Sequence, residues 1–301
     1  MFYFVSIIID KQKNYLYGYV NVKTGMNTIL IPLDYASGTQ NALRYVSAAH
    51  QNLFFIRLIL LKSTYTSVFQ PIISTAEYLC LDGDTLEAGR KESVEYLDKV
   101  TKELANSVLK EVTIDHAISE LPLARALVQL IRQESPDLLI LGNSQESKEG
   151  YINDNLIELV TISKIPVLVV PSNATYRKIR KVLLPMDFEE LNRLEAFLHP
   201  LFSTYKDELI LHVFSIKKQQ RDLMEDRNKL SVLLPDLNFS VDYTDNDDIL
   251  DGILEFAEKK DVDLIVSLPG KYNFFKKITH RSITHAIAHN SNRPVLILKQ
   301  T

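Results

Sequence analysis

Short apolar runs alternate with amphipathic stretches along most of the chain, and the whole alternation occurs twice. Ile29-Leu30-Ile31-Pro32-Leu33-Asp34 returns as Val182-Leu183-Leu184-Pro185-Met186-Asp187. Unbroken apolar runs of this length read as strands buried on both faces, as in parallel sheets. In the first half, further runs at 53–61, 112–118, 137–141 and 166–170 predict four more strands. In the second half, runs at 208–214, 237–243, 262–267 and 294–298 do the same. The stretches between them carry the helical period. Ala42, Leu43, Val46 and Ala49 share one face of a helix that Ser37 or Thr39 can cap. Leu86, Val94, Leu97, Val100 and Leu104 mark a longer helix begun by Asp84. Helices are also predicted over 123–133, 155–162, 191–202, 217–234, 247–259 and 283–289.

The third helical unit and the strand after it show the duplication most clearly. Leu123-Ala124-Arg125-Ala126-Leu127 leads to Asp137-Leu138-Leu139-Ile140-Leu141, and Ile249-Leu250-Asp251-Gly252-Ile253 leads to Asp263-Leu264-Ile265-Val266. The last strands match as Pro166-Val167-Leu168-Val169-Val170 and Pro294-Val295-Leu296-Ile297-Leu298. Alternating strands and helices predict an α/β fold of two tandem doubly wound domains. Each domain is a five-stranded parallel sheet flanked by helices. The expected division is 26–171 and 178–301, with a linker at 172–177 after the breaker cluster Pro171-Ser172-Asn173. Residues 1–25 stand apart. They read either as a hairpin or as a segment upstream of a true start at Met26.

Composition narrows the function classes. The 301 residues suffice for two domains with separate cores. A net charge of -4 gives no general attraction to a phosphate backbone, so nucleic acid is disfavoured as a partner. No apolar run approaches the roughly 20 residues of a membrane-spanning helix. A single cysteine, Cys80, excludes an intramolecular disulfide and a cysteine-based zinc cluster, and fits a cytoplasmic location. Only 9 glycines leave little material for phosphate-cradling loops. Asp34 and Asp187 end the first strand of each half, at the sheet edge where open α/β folds bind ligands.

The stretch from Ile29 through Asp34 to Tyr45, together with Asp137-Leu138-Leu139-Ile140-Leu141-Gly142, resembles the universal stress protein family. The second half resembles the same domain in a more divergent form. The resemblance implies that the fifth strands pair across a two-fold, so that one chain forms its own pseudo-dimer, with a further homo-oligomer or protein partner open. Nucleotide-binding members carry a glycine, a second glycine three positions on, and a later Gly-Ser or Gly-Thr. The first half keeps Gly142 but has Gln145 at the second position and Asn153-Asp154 at the last. Asp154, Glu146 and Glu149 would repel phosphates. Asp34 matches the acid that contacts the nucleoside end in binding members, so Asp34 and Gly142 are the candidate nucleotide residues. In the second half Leu268 and Lys271 replace the early glycines, and Arg281-Ser282 stands at the last pair. Lys271, Arg281 and Ser282 lie in a basic loop that can hold an anion by charge or be a solvated face.

Other constellations carry less. His285 and His289 share a helical face at a spacing that metal ligands use, with no third ligand fixed. No Gly-x-Ser-x-Gly elbow or Walker loop occurs. The expectation is therefore a cytoplasmic stress-response module that is not an enzyme and works without ATP or another cofactor. The alternative is an adenine-nucleotide sensor with slow ATP hydrolysis in the first half.

Overall fold

The computed structural model describes residues 28–34, 36–50, 55–65, 83–106, 112–144, 155–186, 188, 209–216, 223–235, 237–244, 246, 248–268 and 283–299. The first-half strands are β1 (Thr28–Leu33), β2 (Arg57–Ser63), β3 (Thr113–Ser119), β4 (Leu138–Asn143) and β5 (Val167–Pro171). The second-half strands are β6 (Lys181–Pro185), β7 (Ile210–Ile216), β8 (Asn238–Thr244), β9 (Leu264–Ser267) and β10 (Val295–Ile297). The described helices are α1 (Ser37–Ala49), α2 (Gly83–Ala105), α3 (Leu123–Glu134), α4 (Leu156–Ile162), α5 (Leu223–Leu233), α6 (Ile249–Lys259) and α7 (Ile283–Asn290). Residues 1–25 and the helix expected over 191–202 lie outside the described residues.

All ten strands join one sheet in the order β3-β2-β1-β4-β5-β10-β9-β6-β7-β8. Pairing is parallel within each half and antiparallel between β5 and β10, where Leu296 faces Leu168. The two halves are thus arranged about a local two-fold at this pair. The inner strands bury both faces, which is why their sequences are largely apolar, whereas the edge strands β3 and β8 are part-exposed and carry polar residues. Ile29, Ile31, Leu58 and Leu60 point toward α1 and α2, and Leu30, Ile59 and Leu61 point toward α3 and α4. In the second half, α5 lies on the α1/α2 side, and α6 and α7 on the α3/α4 side.

The duplication reaches the hydrogen bonds. Both α3 and α6 are followed by a non-glycine residue in the left-handed region, Ser135 at φ 46° and Asp261 at φ 50°. Two residues on, a carboxylate holds the start of the half's first strand. Asp137 Oδ2 accepts from Thr28 N at 2.9 Å, and Asp263 Oδ2 accepts from Lys181 N at 3.0 Å and Arg180 N at 2.9 Å. Asp263 also pairs with Arg177 at 3.2 Å, while Arg177 and Arg293 both grip Asp261 and hold its carboxyl below the usual range.

Three local expectations need correction. The N-cap of α1 is Ala36 without a side-chain cap, because Ser37 and Thr39 are engaged elsewhere. The helix expected from 247 starts at Ile249, capped by Asp248, whose Oδ1 accepts from Leu250 N and Asp251 N. Val94 is 39% exposed, because the buried stripe of α2 runs through Ser93, Leu97, Val100 and Leu104. Ser93 satisfies its hydroxyl by donating to Gly89 O at 2.9 Å, so a polar residue can occupy the inner face.

Within the first half, Asn41 Nδ2 ties α1 to the end of β5 and the linker, donating to Pro171 O and Ala174 O at 2.7 and 2.8 Å. Other side chains clasp the two halves. Buried Asn143 donates to Ala288 O and His289 O at the end of α7. Lys299 donates to Val160 O in α4, and His285 Nε2 lies 3.2 Å from Thr161 Oγ1. Asn143 and Lys299 thus answer carbonyls that a helix end cannot pair internally.

Two predictions follow from this frame. Asp263→Ala leaves two strand amides without their carboxylate and should cost about 2–3 kcal/mol in urea unfolding. Asp137→Ala removes one such bond and should cost less. The second concerns pH. Burial lowers the pKa of His285, reinforced by Lys299, and burial lowers that of His212, reinforced by Lys260 and Lys181 against Asp242. The folded chain keeps both rings neutral while the unfolded chain takes up protons below about pH 6.5. The melting temperature should therefore fall as pH drops through about 6.5, and replacing both histidines with Gln should flatten that slope.

Candidate functional site

Strand order reverses direction between β1 and β4, so the first-half crevice opens where these two strands end. Asp34 and Gly142 both lie there, as the sequence placed them. Asp34 is 9% exposed. Its Oδ1 accepts from Ala36 N at 3.1 Å and from Thr39 Oγ1 at 2.5 Å. This closes an Asx turn that aims the chain from β1 into α1.

Gly142 meets Gly38 of α1. A Cβ on Gly142 would overlap the carbonyl carbon and oxygen of Gly38, and one on Gly38 would lie 2.7 Å from Ser144 Oγ. Only two glycines permit this approach of helix and strand. Ser144, 2% exposed, then takes the amide of Gly38 at 2.7 Å and lies 3.2 Å from Ser37 Oγ. A hydroxyl from β4's end thus serves the first turn of α1, where amides otherwise await an anion.

Lys62 fills the neighbouring position at the end of β2, opposite Leu33. It is 7% exposed, with its ammonium 5.5 Å from the centre of the Tyr96 ring. Burial lowers its pKa, partly countered by Asp34 and Glu92. Tyr96 donates from its hydroxyl to Asp34 O at 3.1 Å. Asp34, Lys62, Tyr96, Thr39, Gly38 and Ser144 therefore form one connected edge. Lys62, Tyr96 and Ser144 were missed by sequence reasoning. The one available signal was a lysine directly after the apolar run Leu58-Ile59-Leu60-Leu61.

In the second half, Met186 and Phe188 are buried on either side of Asp187, which lies outside the described residues. Leu268 is 4% exposed at the position related to Gly142 by the local two-fold. A leucine side chain thus stands where the first half has none. Ser267 and Thr284 pair their hydroxyls at 2.8 Å beneath it. Lys271, Arg281 and Ser282 lie outside the described residues, as do Gln145, Asn153 and Asp154. His285 Nε2 lies 3.2 Å from Thr161 Oγ1, and the main-chain carbonyl of His289 accepts from Asn143. Among the described residues, no three His, Cys, Asp or Glu side chains are grouped to hold a metal.

No family model matches the chain, and no curated protein matches it. Solved structures do. A universal stress protein from Archaeoglobus fulgidus DSM 4304 superposes with a TM-score of 0.62 at 13% identity, over 92% of this chain and 97% of that one. A functionally unknown protein from Pseudomonas aeruginosa PAO1 gives 0.54 at 15% identity, over 91% and 92%. The chain has the fold of the tandem universal stress protein structure along nearly its whole length. No described helix is long and apolar enough to cross a membrane.

The packing role of the crevice residues is testable. Ser144→Ala should cost about 1 kcal/mol through the lost helix-end acceptor. Gly142→Ala should cost about 1–3 kcal/mol through backbone overlap. The readout is the urea midpoint with an unchanged m-value.

Proposed function

We propose that this chain is a tandem universal stress protein-like module of the cytoplasm, acting in stress response without catalysis and without ATP. Its two domains span 26–171 and 178–301 and act as one unit through their paired fifth strands. The observation that supports this reading is that the described groups at the first-half crevice are bonded to or packed on one another. Ser144 serves the α1 amide, Gly38 and Gly142 are in van der Waals contact, and Lys62 is packed over Tyr96. A nucleotide entering there would have to displace these contacts. The carboxylates of the following loop in the sequence, Glu146, Glu149 and Asp154, favour the same reading by repelling phosphate.

Asp34 and Gly142 keep the nucleotide-sensor reading testable. The measurement is the melting temperature with millimolar ATP. A ligand at 100 times its dissociation constant stabilises by about 2.7 kcal/mol, which shifts the melting point by several degrees. The expected result is no shift. A shift that Asp34→Ala abolishes would replace this proposal with the sensor reading.

A further inference from the structure

The two halves carry one exposed helical stripe with opposite charge. The left-handed residues Ser135 and Asp261, and the strand-holding carboxylates Asp137 and Asp263, align α3 with α6 without a gap. In that alignment Arg125 corresponds to Asp251, Val128 to Leu254, Gln129 to Glu255, and Arg132 to Glu258. The exposure pattern is preserved at every pair. The first, third and fourth positions are exposed, and the second is half-buried. Their spacing puts all four on one face of each helix.

On α3 this stripe borders an open groove of about 570 Å³, with Leu121, Glu158 and Ile162 at its margin. On α6 it borders a smaller recess of about 160 Å³, closed by the turn that ends in Arg293. The α3 face presents two guanidinium groups around Val128. The α6 face presents three carboxylates around Leu254. Glu158 and Arg293 are the opposing charges at the two margins, and Arg293 is already engaged by Asp261.

The two faces cannot meet within one chain. On this side of the sheet α3 packs on α4, α4 on α7, and α7 on α6, so α3 and α6 are the outermost of the described helices. At about 10 Å per helix they lie roughly 30 Å apart. Both nevertheless face the same side, because α3, α4, α6 and α7 share one core layer. A second copy turned over this layer can set its α6 on the first copy's α3 and its α3 on the first copy's α6. Such pairing is reciprocal and closes as a two-fold dimer.

We propose that the α3 and α6 faces are a self-association surface whose occupant is a second copy of this chain. Apolar Val128 and Leu254 supply the centre and the opposed charges set partner and register. Opposite signs on equivalent positions also disfavour α3 against α3 and α6 against α6, which specifies the crossed arrangement.

Sedimentation velocity of the full chain tests this. At roughly 100 µM protein, enough to populate a micromolar complex, wild type should sediment as a dimer in low salt. It should shift toward monomer in about 1 M salt, where the Debye length is about 3 Å. Arg125→Glu with Arg132→Glu makes both faces acidic, and Asp251→Arg with Glu258→Arg makes both basic. Each double variant alone should be monomeric with a native melting curve, and an equimolar mixture should recover the dimer. A monomeric wild type in low salt, a dimer indifferent to both double variants, or a mixture that stays monomeric would each overturn the proposal.

Discussion

Everything in this molecule depends on the antiparallel contact between β5 and β10. Each half is an open parallel sheet with strand order 3-2-1-4-5, and its fifth strand would otherwise present unpaired amides and carbonyls. Joining the two fifth strands satisfies both edges at once and makes a ten-stranded sheet. The register centred on Leu168 and Leu296 also decides what meets across the join. Val167 and Val169 share one layer with Val295 and Ile297, whereas Leu168 and Leu296 share the other. From this follow the contact of α4 with α7 and the side-chain clasps of Asn143 and Lys299. The edges that remain, β3 and β8, carry Asp115 and Asp242, charges of the kind that blunt further strand addition.

Around that join the two halves have kept some positions and changed others, and the division is physical. Most positions buried on both sheet faces stay apolar in both copies, and an exception, His212 in place of Ile59, has Ser240 Oγ 2.7 Å from its Nδ1. The carboxylates Asp137 and Asp263 stay because strand starts have backbone amides to satisfy. The left-handed residue after α3 and α6 stays in conformation though it is serine in one copy and aspartate in the other. Short polar side chains tolerate that region better than β-branched ones. Outer helix faces are free of these demands, and there the copies diverge in sign.

Much of the architecture was legible from periodicity alone. Apolar runs located the inner strands to within a few residues, because a doubly buried strand has no polar face to confuse the pattern. The helices α3 and α6 were legible because their apolar stripes are regular. Other features were not. Ser93 sits on the inner face of α2 although it is polar, since its hydroxyl bonds to its own helix. The antiparallel join came from family resemblance, because short apolar strands say nothing about which neighbour they take. Lys62 and Ser144 were invisible as site residues. Their roles arise from contacts to Tyr96 and Gly38, far away in sequence, and neither residue type announces such a contact.

The same distinction sharpens what Asp34 and Gly142 mean. Both suggested a nucleotide site because such residues occur at the carboxyl edge of binding sheets. The structure supplies each with a local reason. Asp34 closes the turn into α1 by accepting from Ala36 and Thr39. Gly142 lets β4 touch α1, where any side chain would strike Gly38. A chain that never bound nucleotide would still need both, so their presence does not discriminate between the readings. Residues that act on a ligand without supporting the fold are the ones that discriminate. In the first half the nearest such position is Lys62. Burial lowers the pKa of its ammonium, and the charges of Asp34 and Glu92 act against that, with the Tyr96 ring 5.5 Å away. A crevice kept for a neutral base would gain from an apolar residue there. A crevice that packs on its own groups would gain from a long side chain, and Lys62, 7% exposed beside the Tyr96 ring, is a side chain of that kind.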